Sequence, residues 1–343
     1  MKFDITCNTD DRYAQHCSAM LCSLFENNKE YEFHVHLLTN NLSSDIRQHF
    51  VELSRKYNNL ITIYDIDDSR LDGVKFRKNR PLTKAAYFRV LLSSVIDKSI
   101  EKILYLDCDM IVLGDVSELF LIELDNYALA AVEDAMPNTY LHRNQLHMQY
   151  GEPAFCSGFM MINLKYWRKH KSEDKLIEYS KRDRKVVYMH DQDSLNYVFK
   201  GQWFHLAPKW NKNAMAISIV DSKAKYFDKY EFTFEPKIIH YAGEEKPWFN
   251  VWFPNKKVYD KYLYLSKYPN PSFTKISFTK RFHIWSNVIR YYINRYIHPI
   301  IPEIIEMFLK DIFMILQLCL SIFQPQKLKS LFLDRWLNKY KNS

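Results

Sequence analysis

The stretch Lys102–Asp115, KILYLDCDMIVLGD, decides the fold class. Its first half, Ile103-Leu104-Tyr105-Leu106, has the length and apolar composition of a buried strand, and it runs directly into Asp107 and Asp109. In an extended segment residues i and i+2 project to the same side, so the two carboxylates leave the strand end together. Two such anions repel unless a cation lies between them. A hard divalent ion, Mg²⁺ or Mn²⁺, meets that need and keeps coordination positions open for substrate phosphates. Isolated acidic triplets also occur in solvated surface turns. The second apolar run, Met110-Ile111-Val112-Leu113, makes a solvated turn a poorer description of this one.

Outward from this strand the chain alternates. Phe3–Cys7 reads as a first strand ending in Asn8-Thr9-Asp10-Asp11, followed by a helical segment over Tyr13–Phe25. Phe33–Leu38 and Ile61–Tyr64 read as further strands around a helix over Ser43–Tyr57. The spacing over Thr83–Ile96 predicts another helix, with Arg89 standing among apolar neighbours. Later strands are expected at Tyr127–Val132, Phe155–Leu164 and Lys237–Tyr241, and His190-Asp191-Gln192-Asp193 is expected to precede a short helix over Ser194–Phe199. Strands alternating with helices imply an α/β fold with a mostly parallel sheet, whose ligands bind beyond the carboxyl ends of the strands. Asp10, Asp11, Asp107 and Asp109 all fall there.

With 343 residues, 47% hydrophobic and 16% aromatic, the chain can bury a large core and carry an appendage. Its six glycines form neither a dinucleotide fingerprint nor a P-loop. Six cysteines, scattered without C-x-x-C pairing, suggest a reducing compartment, and the N-terminus reads as a strand rather than a leader, so a cytoplasmic location is expected. From Lys267 onward there are 12 Lys and Arg against four acids, whereas the preceding residues carry 36 of each sign. A neutral body argues against nucleic acid as its partner.

Taken together, Thr9-Asp10-Asp11-Arg12-Tyr13, Tyr87-Phe88-Arg89, Leu106-Asp107-Cys108-Asp109, Gly158–Trp167, Asp191-Gln192-Asp193 and the run His240–Trp248 resemble the retaining glycosyltransferases of family 8. The resemblance covers roughly residues 2–265 and implies a GT-A type nucleotide-sugar-binding domain with a mostly parallel mixed sheet. It also implies a UDP-hexose donor, a Mn²⁺ ion and retention at the anomeric carbon.

By that resemblance Asp10 accepts the uracil N3 hydrogen while Asp11 and Tyr13 form the nucleoside pocket, although an aspartate pair before a helix is also a helix-capping pattern. Asp107, Asp109 and His240 hold the metal, and oxygen ligands plus one imidazole suit Mn²⁺ better than Mg²⁺. A lone His240 otherwise reads as a core histidine. Gly243 lets the backbone approach a phosphate and Lys246 supplies a point charge to the diphosphate. Cys108 and Ser157 belong to the donor-binding motifs. Arg89 reaches the donor sugar or diphosphate, unless it is a salt-bridged helix arginine. Asp191 binds a sugar hydroxyl, Gln192 lies near the reacting carbon, and Asp134 and Asp193 contact sugars. Where family members often carry Asn before the Ser/Ala-Gly pair, this chain has Cys156. An amide at Gln192 is a poor nucleophile, which favours front-face attack over a covalent intermediate on Asp191 or Asp193.

The implied activity is hexosyl transfer, of glucose or galactose, from a UDP-sugar to a lipid-linked or cell-surface saccharide. A non-catalytic nucleotide-sugar-binding protein and a metal-dependent phosphohydrolase are the alternatives. Residues 1–266 form the catalytic domain in this reading. Residues 267–343 mix basic and aromatic residues, as in Phe282-His283-Ile284-Trp285 and Arg290–Ile297, and read as a basic helical region that attaches the protein peripherally to the anionic inner face of the cell membrane. The apolar run Ile312–Phe323 is 12 residues long, short of the ~20 needed to span a bilayer. A helical subdomain packed on the body is the structural alternative for this tail.

Overall fold

In the computed structural model, which describes residues 2–76, 84–134, 140–149, 151–183, 187–214, 236–243, 245–249 and 253–292, apolar strands and helices alternate as the patterning requires. The elements are β1 (Lys2–Asn8), α1 (Ala14–Glu26), β2 (Glu32–Thr39), α2 (Ser44–Lys56), β3 (Leu60–Asp65), α3 (Leu92–Val95), β4 (Lys102–Leu106), β5 (Met110–Val112), α4 (Ser117–Phe120) and β6 (Leu129–Glu133). They continue with α5 (Tyr140–Gln145), β7 (Phe155–Asn163), α6 (Leu164–Lys169), α7 (Ser172–Lys181), α8 (Asp191–Val198), β8 (Trp203–Leu206), β9 (Lys212–Asn213), β10 (Ile238–His240), α9 (Lys256–Ser266) and α10 (Phe278–Tyr292).

Seven strands form the main sheet in the order β3-β2-β1-β4-β7-β6-β8. β1, β2, β3 and β4 run parallel, β6 pairs parallel with β8, and β7 runs antiparallel to both of its neighbours. The sheet is therefore mixed and mostly parallel. Odd positions of β1 and β2, such as Ile5, Cys7, Val35 and Leu37, pack with the buried face of α1 in one apolar layer. On the other face Ile103, Tyr105, Met160 and Ile162 pack with Trp167, Leu176 and Phe199.

Two elements differ from the expected ones. The helix expected over residues 83–96 is a 3₁₀ segment, Lys84–Leu91, leading into the short α3. Winding of about three residues per turn aligns Ala86 with Arg89, and Arg89 Nε donates to the Ala86 carbonyl at 3.2 Å. Asp191, Gln192 and Asp193 do not precede α8 but form its first turn, where the unpaired N–H groups and the helix dipole favour carboxylates.

The chain leaves the main sheet at Leu106, turns at Cys108–Asp109 and re-enters a small sheet, β5-β10-β9. The acidic triplet is thus a turn between two sheets rather than one continuous strand. Asp107 N–H donates to the Gly158 carbonyl at 2.8 Å, and Tyr241 N–H donates to the Asp109 carbonyl at 2.8 Å. Those two bonds place the turn between β7 and β10.

The chain divides into two compact units, Met1–Lys275 and Ile276–Ser343. The first runs past Lys267, and Gln15 holds Ser272 by two hydrogen bonds. Of the second unit the described element is α10; Ile312–Phe323, most of Arg290–Ile297, Cys319 and, in the body, Glu244 lie outside the described residues. Among the described residues no helix is long and apolar enough to cross a membrane. The described cysteines, Cys7, Cys17, Cys22, Cys108 and Cys156, are free thiols.

Candidate active site

Strand register brings Asp107, Asp109 and His240 together, with one ligand atom of each lying within 4.8 Å of the others. His240 Nε2 stands 3.2 Å from Asp109 Oδ1 and 3.9 Å from Asp107 Oδ2. Its other nitrogen, Nδ1, is 2.9 Å from Asn211 Oδ1. That amide oxygen can only accept, so Nδ1 donates to it, and Nε2, turned toward the carboxylates, is the nitrogen that would give up its proton to ligate a cation. Octahedral ions with bonds of about 2.1 Å place neighbouring ligand atoms about 3 Å apart, a spacing that His240 and Asp109 already have while Asp107 stands somewhat wider. Gly158 keeps the cradle open, because a Cβ there would meet Asp107 Oδ2 and His240 Cε1 at 2.6 Å. A divalent cation therefore fits these residues.

Each ligand is braced. Arg89 Nη2 and the Tyr105 hydroxyl both reach Asp107 Oδ1 at 2.8 Å, leaving Oδ2 toward His240. Lys246 Nζ lies 2.5 Å from Asp109 Oδ2 and 2.7 Å from the Tyr241 carbonyl. Burial alone would raise the Asp109 carboxyl, but Lys246 and His240 outweigh it and hold Asp109 well below the usual carboxylate range. Burial alone would likewise keep the His240 imidazole neutral, and the adjoining Asp109 pushes it up to about 10. The cluster attracts positive charge strongly. Cys156, in the place of the family's common Asn, sets its sulfur 3.8 Å from His240 Nδ1.

A second set of contacts extends from Arg89 toward α8. Arg89 Nε pairs with Asp191 Oδ2 at 3.0 Å, and Nη1 donates to the Ser157 carbonyl at 2.6 Å. Burial opposes the charge on Arg89, yet the two facing carboxylates raise its pKa further above its ordinary value. Asp191 goes the other way: burial lifts its carboxyl to about 6 even though Arg89 pulls it down. Gln192 accepts the Ser157 N–H at 2.9 Å through Oε1 and donates through Nε2 to Asp134 Oδ2 at 2.8 Å. The amide is thereby fixed in orientation, and the Ser157 hydroxyl also reaches Oε1 at 3.3 Å.

The nucleoside-motif residues lie beyond the end of β1. Asp10 Oδ1 accepts the Tyr13 N–H at 3.0 Å and Asp11 Oδ1 accepts the Ser43 N–H at 2.9 Å, so each carboxylate also braces the entry to a helix. Tyr13, 38% exposed, meets Trp248 edge-on with ring centres 5.9 Å apart, and Trp248 stacks on His16 at 3.5 Å. Partial burial and the nearby Asp109 push the Tyr13 hydroxyl up to about 12. Gly243 has open space around its Cα but a φ of +94°, a backbone setting that favours glycine.

Two named residues stand apart from this set. Asp193 is buried with its carboxylate on His142 Nε2 at 2.9 Å and on the Tyr188 and Met189 amides at 3.2 Å, so it braces the loop before α8 instead of joining Asp191 and Gln192. Successive helix positions diverge by about 100°, which separates it from its neighbours. The Cys108 thiol likewise donates to the Asn8 carbonyl at 2.9 Å on the core side of the turn, so it offers no side-chain contact to the carboxylates. Conversely, Asn211, Tyr105 and His16 belong to the site without any spacing in the sequence that would single them out.

The sheet order and the paired carboxylates at its carboxyl edge define a GT-A glycosyltransferase domain. The galactosyltransferase LgtC, solved with donor and acceptor sugar analogs, has this fold, with a TM-score of 0.68 at 24% identity over 81% of this chain and 99% of that one. The family model described as glycosyl transferase family 8 matches residues 4–251, and the chain belongs to that family of glycosyltransferases. General stress protein A of Bacillus subtilis (strain 168) is 31% identical over 267 residues, which span 76% of this chain and 92% of that protein. A lipopolysaccharide 1,2-glucosyltransferase of Escherichia coli is 27% identical over 252 residues, spanning 72% and 73% respectively.

Proposed function

We propose that this chain transfers a hexose, glucose or galactose, from a UDP-sugar to a lipid-linked or cell-surface saccharide, with retention and with a divalent cation, Mn²⁺ in first place. The observation that carries the reading is the convergence of Asp107, Asp109 and His240 at one point beside Lys246. Two relatives, a lipopolysaccharide glucosyltransferase and a galactosyltransferase solved with sugar analogs, support the substrate class.

In this reading the nucleoside lies against Tyr13 and Trp248, with Asp10 and Asp11 on its polar edge. Asp107, Asp109 and His240 would hold a cation, which would supply positive charge to the diphosphate. Lys246 and the glycine turn at Gly243 add a donor and a close backbone approach on the same side. The bond from the anomeric carbon to the phosphate oxygen breaks with its electron pair leaving on UDP. The acceptor hydroxyl attacks the same face, and its proton goes to the departing phosphate oxygen. Gln192 Oε1 faces the developing positive charge on the sugar, and Asp134 and Ser157 keep it there. Asp191 is committed to Arg89, which leaves it a hydrogen-bonding rather than a nucleophilic role. Isolation of a stable glycosyl adduct on Asp191 would overturn this front-face course.

The same reading has residues 267–343 holding the protein peripherally on an anionic membrane. α10 supports it with exposed Phe278 and Trp285 at i and i+7 beside exposed Lys280 and Arg281.

The test is transfer from UDP-glucose and UDP-galactose with and without Mn²⁺. Asp109→Asn is expected to abolish transfer and weaken UDP binding in Mn²⁺, and to melt lower than the wild type, though still folded at the assay temperature, because Lys246 and His240 lose their buried counter-charge. Full activity in that variant, or in wild type with excess chelator, sinks the metal-dependent reading.

A further inference from the structure

A second group of metal-ligating side chains lies on the main sheet, away from the site described above. Odd positions through the middle of β1, β2 and β3, such as Ile5, Val35 and Ile63, belong to the apolar layer that includes α1, but the even positions place Asp4, His34, His36, Thr62 and Tyr64 side by side on the opposite face. A sheet face normally buries hydrophobes there. We propose that Asp4, His34 and His36 form a binding site for a borderline transition-metal dication, with Zn²⁺ the ion they fit best.

One ligand atom from each of the three lies within 4.8 Å of the others. His36 Nε2 is 2.9 Å and His34 Nδ1 is 3.6 Å from Asp4 Oδ1. Tetrahedral bonds of about 2.0–2.1 Å set ligand atoms about 3.3 Å apart, midway between these distances. The far nitrogens are both occupied by hydroxyls from β3. His34 Nε2 lies 2.8 Å from Thr62 Oγ1, and His36 Nδ1 lies 2.9 Å from the Tyr64 hydroxyl. Outer hydrogen bonds of this kind fix ring orientation in metal sites, and here they aim both inner nitrogens at one carboxylate.

The residues are reachable without being loose. Asp4 and His34 are 25% and 21% exposed, while His36 is buried. Two imidazoles and one carboxylate with a position left for water is a zinc-type ligand set, whereas Mg²⁺ and Mn²⁺ favour oxygen. The site is therefore chemically distinct from the oxygen-richer cluster of Asp107, Asp109 and His240. It ties β1 to β2 toward their amino ends, and metal bound there stabilises the folded chain by mass action.

The test is calorimetric titration of the full chain with Zn²⁺ in excess Mn²⁺, together with thermal melting and Mn²⁺-supported transfer. Wild type is expected to bind one Zn²⁺ equivalent more than His34→Gln or Asp4→Asn, and to show a Zn²⁺-dependent rise in Tm that those variants lack. Thr62→Val, which removes only the outer hydroxyl on His34, is expected to weaken Zn²⁺ about 10- to 100-fold. Transfer should be unchanged in all three. Equal stoichiometry and unchanged affinity in His34→Gln and Thr62→Val, or no Zn²⁺ binding by wild type, overturns the proposal. If His34→Gln does not fold, Thr62→Val decides: affinity equal to wild type again overturns it.

Discussion

At the scale of single residues the site depends on one missing side chain. Asp107 is pinned by Arg89 and Tyr105, and His240 by Asn211, so neither can retreat from a Cβ added at Gly158. Gly158→Ala is therefore expected to raise the Mn²⁺ concentration needed for half-maximal transfer by at least about 10-fold, while overpacking costs about 1–3 kcal/mol of stability. A Mn²⁺ activation curve alongside a urea melt checks both halves. An alanine variant with the wild-type curve would mean that Asp107 and His240 are not held as the hydrogen bonds indicate.

At the scale of elements, α1 is the helix most committed to the interior, and it carries a titratable group there. His16 stacks on Trp248 and sits 2.6 Å from the Tyr259 hydroxyl, and burial drives its pKa from 6.5 down to about 3. The folded state thus binds fewer protons than the unfolded one between those values, so its stability contribution is complete above 6.5 and declines as pH falls. From about pH 7 to about pH 5 the wild type should lose about 2 kcal/mol more than His16→Gln does. Paired urea melts at the two pH values measure this, and parallel losses in both proteins would refute it. Since Trp248 also stands over Tyr13, UDP affinity should fall in the same acidic window.

At the scale of the molecule, charge is partitioned unevenly along the chain. The body up to Lys267 is neutral and the surplus of +8 follows it. Basic residues near an anionic leaflet are worth about 1 kcal/mol each, and exposed aromatics such as Trp285 favour the headgroup region. Full-length protein should co-sediment with anionic vesicles at low salt and release as salt rises. A chain truncated after Lys275 should stay in the supernatant and still transfer to a short soluble acceptor. Indifference of the full-length protein to anionic vesicles, or loss of transfer to the short acceptor on truncation, makes the tail a structural part of the enzyme.

Much of this was legible in the residues alone, because local patterning reports burial directly. The run KILYLDCDMIVLGD marked a strand ending in paired carboxylates, and the alternation of strands and helices implied a mostly parallel sheet with ligands at its carboxyl edge. Strand pairing is different in kind, since it joins residues far apart in sequence. That His240 comes to Asp109 follows from β10 pairing antiparallel with β5, and that Gly158 lies beneath them follows from β7 running against β4. Neither pairing leaves a trace in local composition. The same holds for the turn at Cys108, the 3₁₀ winding around Arg89, the withdrawal of Asp193 toward His142, and the alignment of Asp4 with His34 and His36. Sequence alone singled out the carboxylates and the histidine as candidates, because their polarity interrupts apolar runs; the register of non-local strands decided which of them meet.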